Sequence, residues 1–218
     1  MILHIRPFVA PGFGENGYIV WRDGTVIAVA IDPGNSVPPM LELLAEEELQ
    51  LAAVLLTHAH LDHVEGVARL VSETSAPVYL HAADRFLYEH VAEQAQQFGI
   101  RVDTPPDVSQ LLEHDQTLEI GEVRYHVRHA PGHSPGHVVL HVADAECAFV
   151  GDVVFQGSIG RTDLPGGEFS QLIESIRTQV LTMPDDTTLY PGHGPPTTVG
   201  HERATNPFLI PHYGGGLA

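Results

Sequence analysis

Lysine is absent from this 218-residue chain: all ten of its basic residues are arginines, set against 28 acidic ones, and the formal net charge is −18. Such a surface repels phosphate backbones, so nucleic-acid binding loses the electrostatic term it rests on. The same repulsion argues against an anionic membrane surface. A ligand's anionic group that meets a side-chain cation here must meet an arginine or a protonated histidine. Cysteine is almost missing. The one residue, Cys147, cannot form an intrachain disulfide, and its place in the run Ala145–Val150 reads as a small buried strand position. Long apolar runs are missing too, since no segment approaches the roughly 18 residues needed to span a bilayer. The start, Met1 to Phe8, lacks the basic leader and cleavage site of a signal peptide, so the cytoplasm is the expected location.

What is present is an ordinary globular composition, 43% hydrophobic, on a chain long enough to bury a substantial core. Residues 2–6 and 17–32 read as strands, the latter turning through Asp23-Gly24 and ending at Asp32-Pro33-Gly34. Met40 to Leu49 reads as an amphipathic helix with Ser36 as a cap, and Leu51–Leu56 as a strand buried on both faces. Helices are expected over Val64–Val71, Ala83–Phe98 and Phe169–Leu181, with Gly99 closing the second. Strands are expected at Pro77–Leu80, Leu118–Ile120, Val123–Val127, His137–Val142, Ala148–Val150 and Thr187–Tyr190. No repeat or linker divides the chain, so residues 1–218 read as one α/β domain, two sheets sandwiched between helices.

Histidine is plentiful, fifteen in all, and its distribution is uneven. Thr57-His58-Ala59-His60-Leu61-Asp62-His63 follows directly on the apolar run Leu51–Leu56. Alternation puts His58 and His60 on one side of an extended chain, with Asp62 and His63 at the start of the next helix. Imidazoles and a carboxylate this close suit a pair of borderline metal ions. Two ions need more ligands, and three candidates sit at strand ends beside glycine and proline: His133 in Pro131-Gly-His-Ser-Pro-Gly, Asp152 after Val150-Gly151, and His193 in Pro191-Gly-His-Gly-Pro. His4, His81, His90, His114, His126, His141, His201 and His212 have no such spacing and read as surface or core groups.

Thr57–His63, Gly132-His133, Gly151-Asp152 and Gly192-His193 together resemble the signature of the metallo-β-lactamase superfamily. The segments Gly160–Gly167, Pro191–Thr198 and Glu202–Phe208 look like those of short glyoxalase II-like thioesterases, the hydroxyacylglutathione hydrolases without the C-terminal helical domain. The resemblance implies an αββα sandwich. It also implies one metal on His58, His60 and His133, a second on Asp62, His63 and His193, and Asp152 bridging both. The ions implied are zinc, with iron or manganese as alternatives. Asp152 and His133 would serve catalysis by holding a metal-bridging hydroxide that attacks the thioester of a substrate such as S-lactoylglutathione. Arg161 stands where full-length relatives contact glutathione through a lysine, while Asp163 replaces a family tyrosine. Asp32, Thr57 and His137 are candidates for orienting the ligands from behind.

The chief rival on the same fold is a persulfide dioxygenase with one iron, and Pro191 before Gly192-His193 favours the thioesterase. A β-lactamase would lack the combination of His63 with a bridging Asp152, and a flavodiiron protein would carry glutamate in place of His60. The expected partner is a small thioester, with neither nucleic acid nor membrane.

Overall fold

The computed structural model describes residues 2–210, so His212 lies outside the described residues. The chain opens on three antiparallel strands, β1 (Leu3–Val9), β2 (Asn16–Arg22) and β3 (Ile27–Ile31). Helix α1 (Val37–Glu46) begins earlier than its apolar spacing suggests, because two prolines at its start preset the helical backbone. Strand β4 (Gln50–Leu55) follows, then α2 (Leu61–Val64), α3 (Val67–Thr74), β5 (Val78–His81), α4 (Arg85–Glu89), α5 (Val91–Gln97) and β6 (Gln110–Leu112). Strands β7 (Thr117–Ile120), β8 (Val123–His129), β9 (Val138–Val142) and β10 (Cys147–Gly151) start the second half. A small hairpin of β11 (Val154–Phe155) and β12 (Ser158–Ile159) leads to α6 (Phe169–Ser175), β13 (Thr188–Pro191), β14 (Thr197–Thr198) and α7 (Val199–Thr205).

Two six-stranded sheets result, ordered β1-β2-β3-β4-β5-β6 and β14-β13-β10-β9-β8-β7. Alternation sorts their side chains into layers. Val29 and Ile31 of β3 and Cys147 and Phe149 of β10 fill the space between the sheets with Tyr125 and Leu140. Ala28 and Ala30 point the other way, onto α1 and α3 through Met40 and Leu70. Ala148 and Val150 likewise pack against Leu172 and Ile176. The layers run helices, sheet, sheet, helices, the αββα sandwich that the resemblance implied. Cys147 is buried there as expected, and burial pushes its thiol up to about 12.

Three expected helices are interrupted. The segment from residue 64 to 71 divides at Glu65-Gly66, where a side chain on Gly66 would collide with the Gly34 carbonyl oxygen at 1.9 Å. The 83–98 helix is a 3₁₀ turn over Ala82–Asp84 followed by α4 and α5, broken at His90, whose Nδ1 turns back to the Phe86 carbonyl at 2.7 Å. After α6 the chain widens into a π turn over Ile176–Val180. Strands β6, β11, β12 and β14 and helix α7 carry too short a periodicity to stand out in sequence. Strands β3 to β6 run parallel, as do β10 and β13, so the carboxyl ends of β4, β10 and β13 release their loops at one edge of the sandwich. Parallel strands gather sites at that end.

Candidate metal centre

Chain leaving β4 is caught at once. Thr57 donates its N–H and its hydroxyl to the two carboxylate oxygens of Asp32, at 2.7 and 2.6 Å. Ala59 N–H donates to Asp84 Oδ2 at 3.1 Å, and the same carboxylate accepts from Ser134 Oγ at 2.7 Å and Gly136 N–H at 2.5 Å. One buried acid therefore fastens the His58–His60 segment to the His133 loop. Burial raises the Asp84 carboxyl, and these three donors work against that rise.

The tautomers of two histidines follow from their neighbours. The Thr57 hydroxyl spends its hydrogen on Asp32, so at 3.1 Å His58 Nδ1 is the donor. His133 Nδ1 donates to the Arg161 carbonyl at 2.7 Å. Each ring then offers a bare Nε2, and the two lie 3.2 Å apart. His60 Nδ1 lies 2.8 Å from His133 Nε2, while its own Nε2 is buried without a partner. At most one of these contacts is a hydrogen bond, so lone pairs face one another. Extra protons do not relieve this, because burial and the neighbouring imidazoles push His60 down to about 3 and His58 well below its usual range. Three imidazoles converging on one point, with His58 and His60 held unprotonated, fit a soft or borderline cation.

A second group lies beside the first. His193 Nε2 is 3.1 Å from Asp62 Oδ2, and His63 Nε2 is 3.8 Å from the same oxygen. Asp152 reaches both groups: its Oδ1 is 3.4 Å from His63 Nε2, and its Oδ2 is 3.5 Å from His133 Nε2 and 3.6 Å from His193 Nε2. Burial alone would raise the Asp152 carboxyl, but the surrounding imidazoles, His63 foremost, outweigh it and hold the group well below the usual range. Its backbone N–H donates to His137 Nε2 at 3.0 Å. A side chain on Gly192 would collide with Asp152 Oδ1 at 2.2 Å, which is why the loop carrying His193 passes here as glycine.

All seven residues singled out by spacing thus meet in one place. The three candidates for orienting them stand directly behind. Asp32 Oδ2 is 3.1 Å from His63 Nδ1, Thr57 touches His58, and His137 stacks on His58 with ring centroids 4.7 Å apart. Asp32, His58 and His63 also form a close trio, but both Asp32 oxygens are already taken by Thr57. Two acids escaped the sequence reading. Asp84 has no motif around it. Glu15 is fully buried with both oxygens unpartnered, its Oε1 3.9 Å from His63 Nδ1, and burial raises its carboxyl well above the usual range. Only the docking of β2 against the His193 loop brings Glu15 here. Asn16 Nδ2 donates to the carbonyls of Pro191 and Gly194 at 3.0 and 2.8 Å, and the Tyr18 hydroxyl to that of Pro191 at 2.6 Å.

A cavity of about 470 Å³ opens over His60, Asp62, His133, Asp152 and His193. Arg161 lines it, with its Nε and Nη2 donating to the two oxygens of Asp163, both at 2.7 Å. The remaining described histidines without ligand spacing stay outside this cavity; His81, for example, stacks on His129 at 4.1 Å. No helix among the described residues is long and apolar enough to cross a membrane.

The metallo-beta-lactamase superfamily pattern matches residues 10–193. Over 216 residues the chain is 38% identical to hydroxyacylglutathione hydrolase GloC of Haemophilus influenzae, covering 96% of this chain and 98% of that one. Among solved structures it is similar to the B3 metallo-beta-lactamase BLEG-1, with a TM-score of 0.90 and 38% identity over 95% of this chain and all 100% of the other. It is also similar to TTHA1623 in a di-iron-bound form, with a TM-score of 0.86 and 42% identity over 94% of this chain and 100% of the other.

Proposed function

The chain belongs to the metallo-beta-lactamase superfamily, and from that premise we propose that it is a thioester hydrolase of the S-acylglutathione type working with two divalent metal ions. One observation carries the reading: the carboxylate of Asp152 stands within 3.6 Å of imidazoles from both groups, between the His58–His60–His133 set and the Asp62–His63–His193 set. That donor set fits zinc or iron.

Two such ions, when bound, lower the pKa of water toward neutrality and polarise a carbonyl oxygen. The protein's own part is to hold the ligands and admit the substrate. Thr57, Asp32 and the Arg161 carbonyl fix which nitrogen His58 and His133 present. In the reaction a water oxygen bonds to the acyl carbon, the carbon–sulfur bond breaks, and an acid and a thiol leave. A thiolate with a free pKa of about 8.5 departs without a strong general acid, and none is required of the chain. Arg161 would meet a carboxylate of the thiol moiety. Asp163 occupies only its Nε–Nη2 edge, which leaves the Nη1 side of the exposed guanidinium for a second acid.

A second reading, β-lactam hydrolysis, is favoured by the similarity to BLEG-1. Metal analysis of the purified protein, with turnover of S-lactoylglutathione, nitrocefin and glutathione persulfide, separates the readings. Two ions per chain with thioester turnover is the expected result. Turnover of nitrocefin alone assigns the second reading. One ion per chain with oxygen uptake on the persulfide overturns both in favour of a dioxygenase.

A further inference from the structure

Among the described residues that line the cavity, Arg161 is the only arginine, and away from the metal-ligating side chains the wall is mostly hydrocarbon. On the α5 side stand Phe13, Leu87 and Phe98. The two phenyl rings meet edge to face, with centroids 5.2 Å apart and planes at 89°. Leu87 is buried, whereas Phe98 is 61% exposed although it abuts the cavity.

This wall is fixed with respect to the ligands. Gln94 of α5 accepts from Leu61 N–H at 3.1 Å and donates to the carbonyls of Ala59 and Leu87 at 3.2 and 2.8 Å. Both amide hydrogens of Gln94 are thereby committed, so this glutamine has no donor left for a ligand. The hydrogen bonds pin α4 and α5 to the loop that carries His58 and His60. A small polar acyl group lying there would lose water from its hydroxyl and gain little hydrocarbon contact. A larger apolar group would bury both itself and the exposed face of Phe98.

We propose that the acyl group handled by this site is bulky and apolar, an alkyl or aryl chain, and that Phe13, Leu87 and Phe98 receive it. The inference rests on the thioesterase reading and narrows its substrate class. Arg161 then serves the thiol half of the substrate, and the aromatic wall serves the acyl half.

The test is a ladder of glutathione thioethers, which cannot be hydrolysed. S-methyl-, S-butyl- and S-hexylglutathione are titrated by calorimetry into the metal-loaded protein. Affinity is expected to rise about fourfold for each methylene that is buried. The heat capacity of binding becomes more negative along the series. In Phe98→Ala the ratio of S-hexyl to S-methyl affinity falls about fivefold or more. Equal affinities along the ladder overturn the proposal, as does an unchanged ratio in both Phe98→Ala and Phe13→Ala. Turnover of S-lactoylglutathione and S-hexanoylglutathione is measured on the same preparation. Turnover with a flat ladder overturns this inference alone. Absence of turnover on both thioesters overturns the thioesterase reading and this inference with it.

Discussion

Replacing Asp84 by alanine should cost both stability and metal affinity, although Asp84 is not itself among the candidate ligands. Its side chain is fully buried and accepts from Ala59 N–H, Ser134 Oγ and Gly136 N–H. The serine hydroxyl can rotate to another acceptor, whereas the two backbone N–H groups cannot. Each buried donor left unpaired costs about 1–3 kcal/mol. Part of that is returned, because the desolvation that raises the Asp84 carboxyl disappears with it. A net loss of about 3 kcal/mol is therefore expected, which for a chain of this size lowers Tm by about 6–12 °C. Asp84→Asn should cost less, since an amide keeps one acceptor but turns its NH2 toward a donor on the other side. Urea unfolding and calorimetry of the metal-free variants measure these losses. Chelator competition measures the second consequence. Ala59 lies between His58 and His60 and Gly136 lies near His133, so metal affinity should fall about 10- to 100-fold, as it does when groups supporting metal ligands are removed. A loss under about 0.5 kcal/mol with unchanged metal affinity would refute the role, since that is the range of an ordinary surface change.

Asp152→Ala should abolish thioester turnover and lower metal content, because the variant removes the one carboxylate shared by both groups; near-normal turnover with both ions retained would sink the assignment. Arg161→Ala should raise KM about three- to tenfold for a glutathione thioester while a small neutral thioester changes less, the contact being made equally in ground and transition states. Equal losses on both substrates would make Arg161 a structural turn residue. The metal-free protein should weaken as pH falls from about 7 to 5. Burial, with help from neighbouring charges, pushes His60 down to about 3 and His81 and His141 to about 4. The unfolded chain then takes up protons near 6.5 that the folded one refuses, and stability present above that pH is lost below it. His63 and His193 are raised, as are the carboxyls of Glu15 and Glu65, the latter to about 7, and all four act in the opposite sense. A urea midpoint in chelator that is higher at pH 5 than at pH 7 would show that these four dominate.

The convergence of the candidate ligands was legible in sequence because their placement is local. Each of the four segments that bear them follows a strand end, three of them with a glycine directly before the candidate ligand, and a strand end fixes where the next side chain goes. The layer order was legible for a similar reason, since the alternation in Ile27–Ile31 and Cys147–Gly151 sorts residues between sheets without knowledge of the partner. Glu15 and Asp84 were not legible, because their surroundings come from chain far away: His63 for the first, Ser134 and Gly136 for the second. The helix breaks at Gly66 and His90 were hidden for the same cause. Apolar spacing runs through both, and it is the approach of Gly34 to Gly66 that forces the first. Asp163 read as a departure from the family, yet it takes one edge of the Arg161 guanidinium and so sets how that arginine stands at the cavity.

Asp32 and Asp84, with Asn16 and Tyr18, explain how so crowded a centre holds its shape. Packing unprotonated imidazoles against one another opposes folding, since each loses water and finds lone pairs for neighbours. The chain offsets this at the bases of the loops rather than at their tips. Asp32 ties down the Thr57 end, Asp84 joins the His58–His60 segment to the His133 loop, and Asn16 with Tyr18 holds the His193 loop through its carbonyls. The candidate ligand nitrogens are thereby kept facing inward by bonds made elsewhere in their loops, which leaves them for a cation. Metal binding then adds directly to the stability of this arrangement, because the unfolded chain has no comparable site. The same division of labour separates the cavity wall from the metal centre. Residues that hold the candidate ligands in place lie beneath them, while the side chains of Phe13, Phe98 and Arg161 line the cavity and share none of those hydrogen bonds, so a substitution in the wall leaves the bonds beneath the candidate ligands in place.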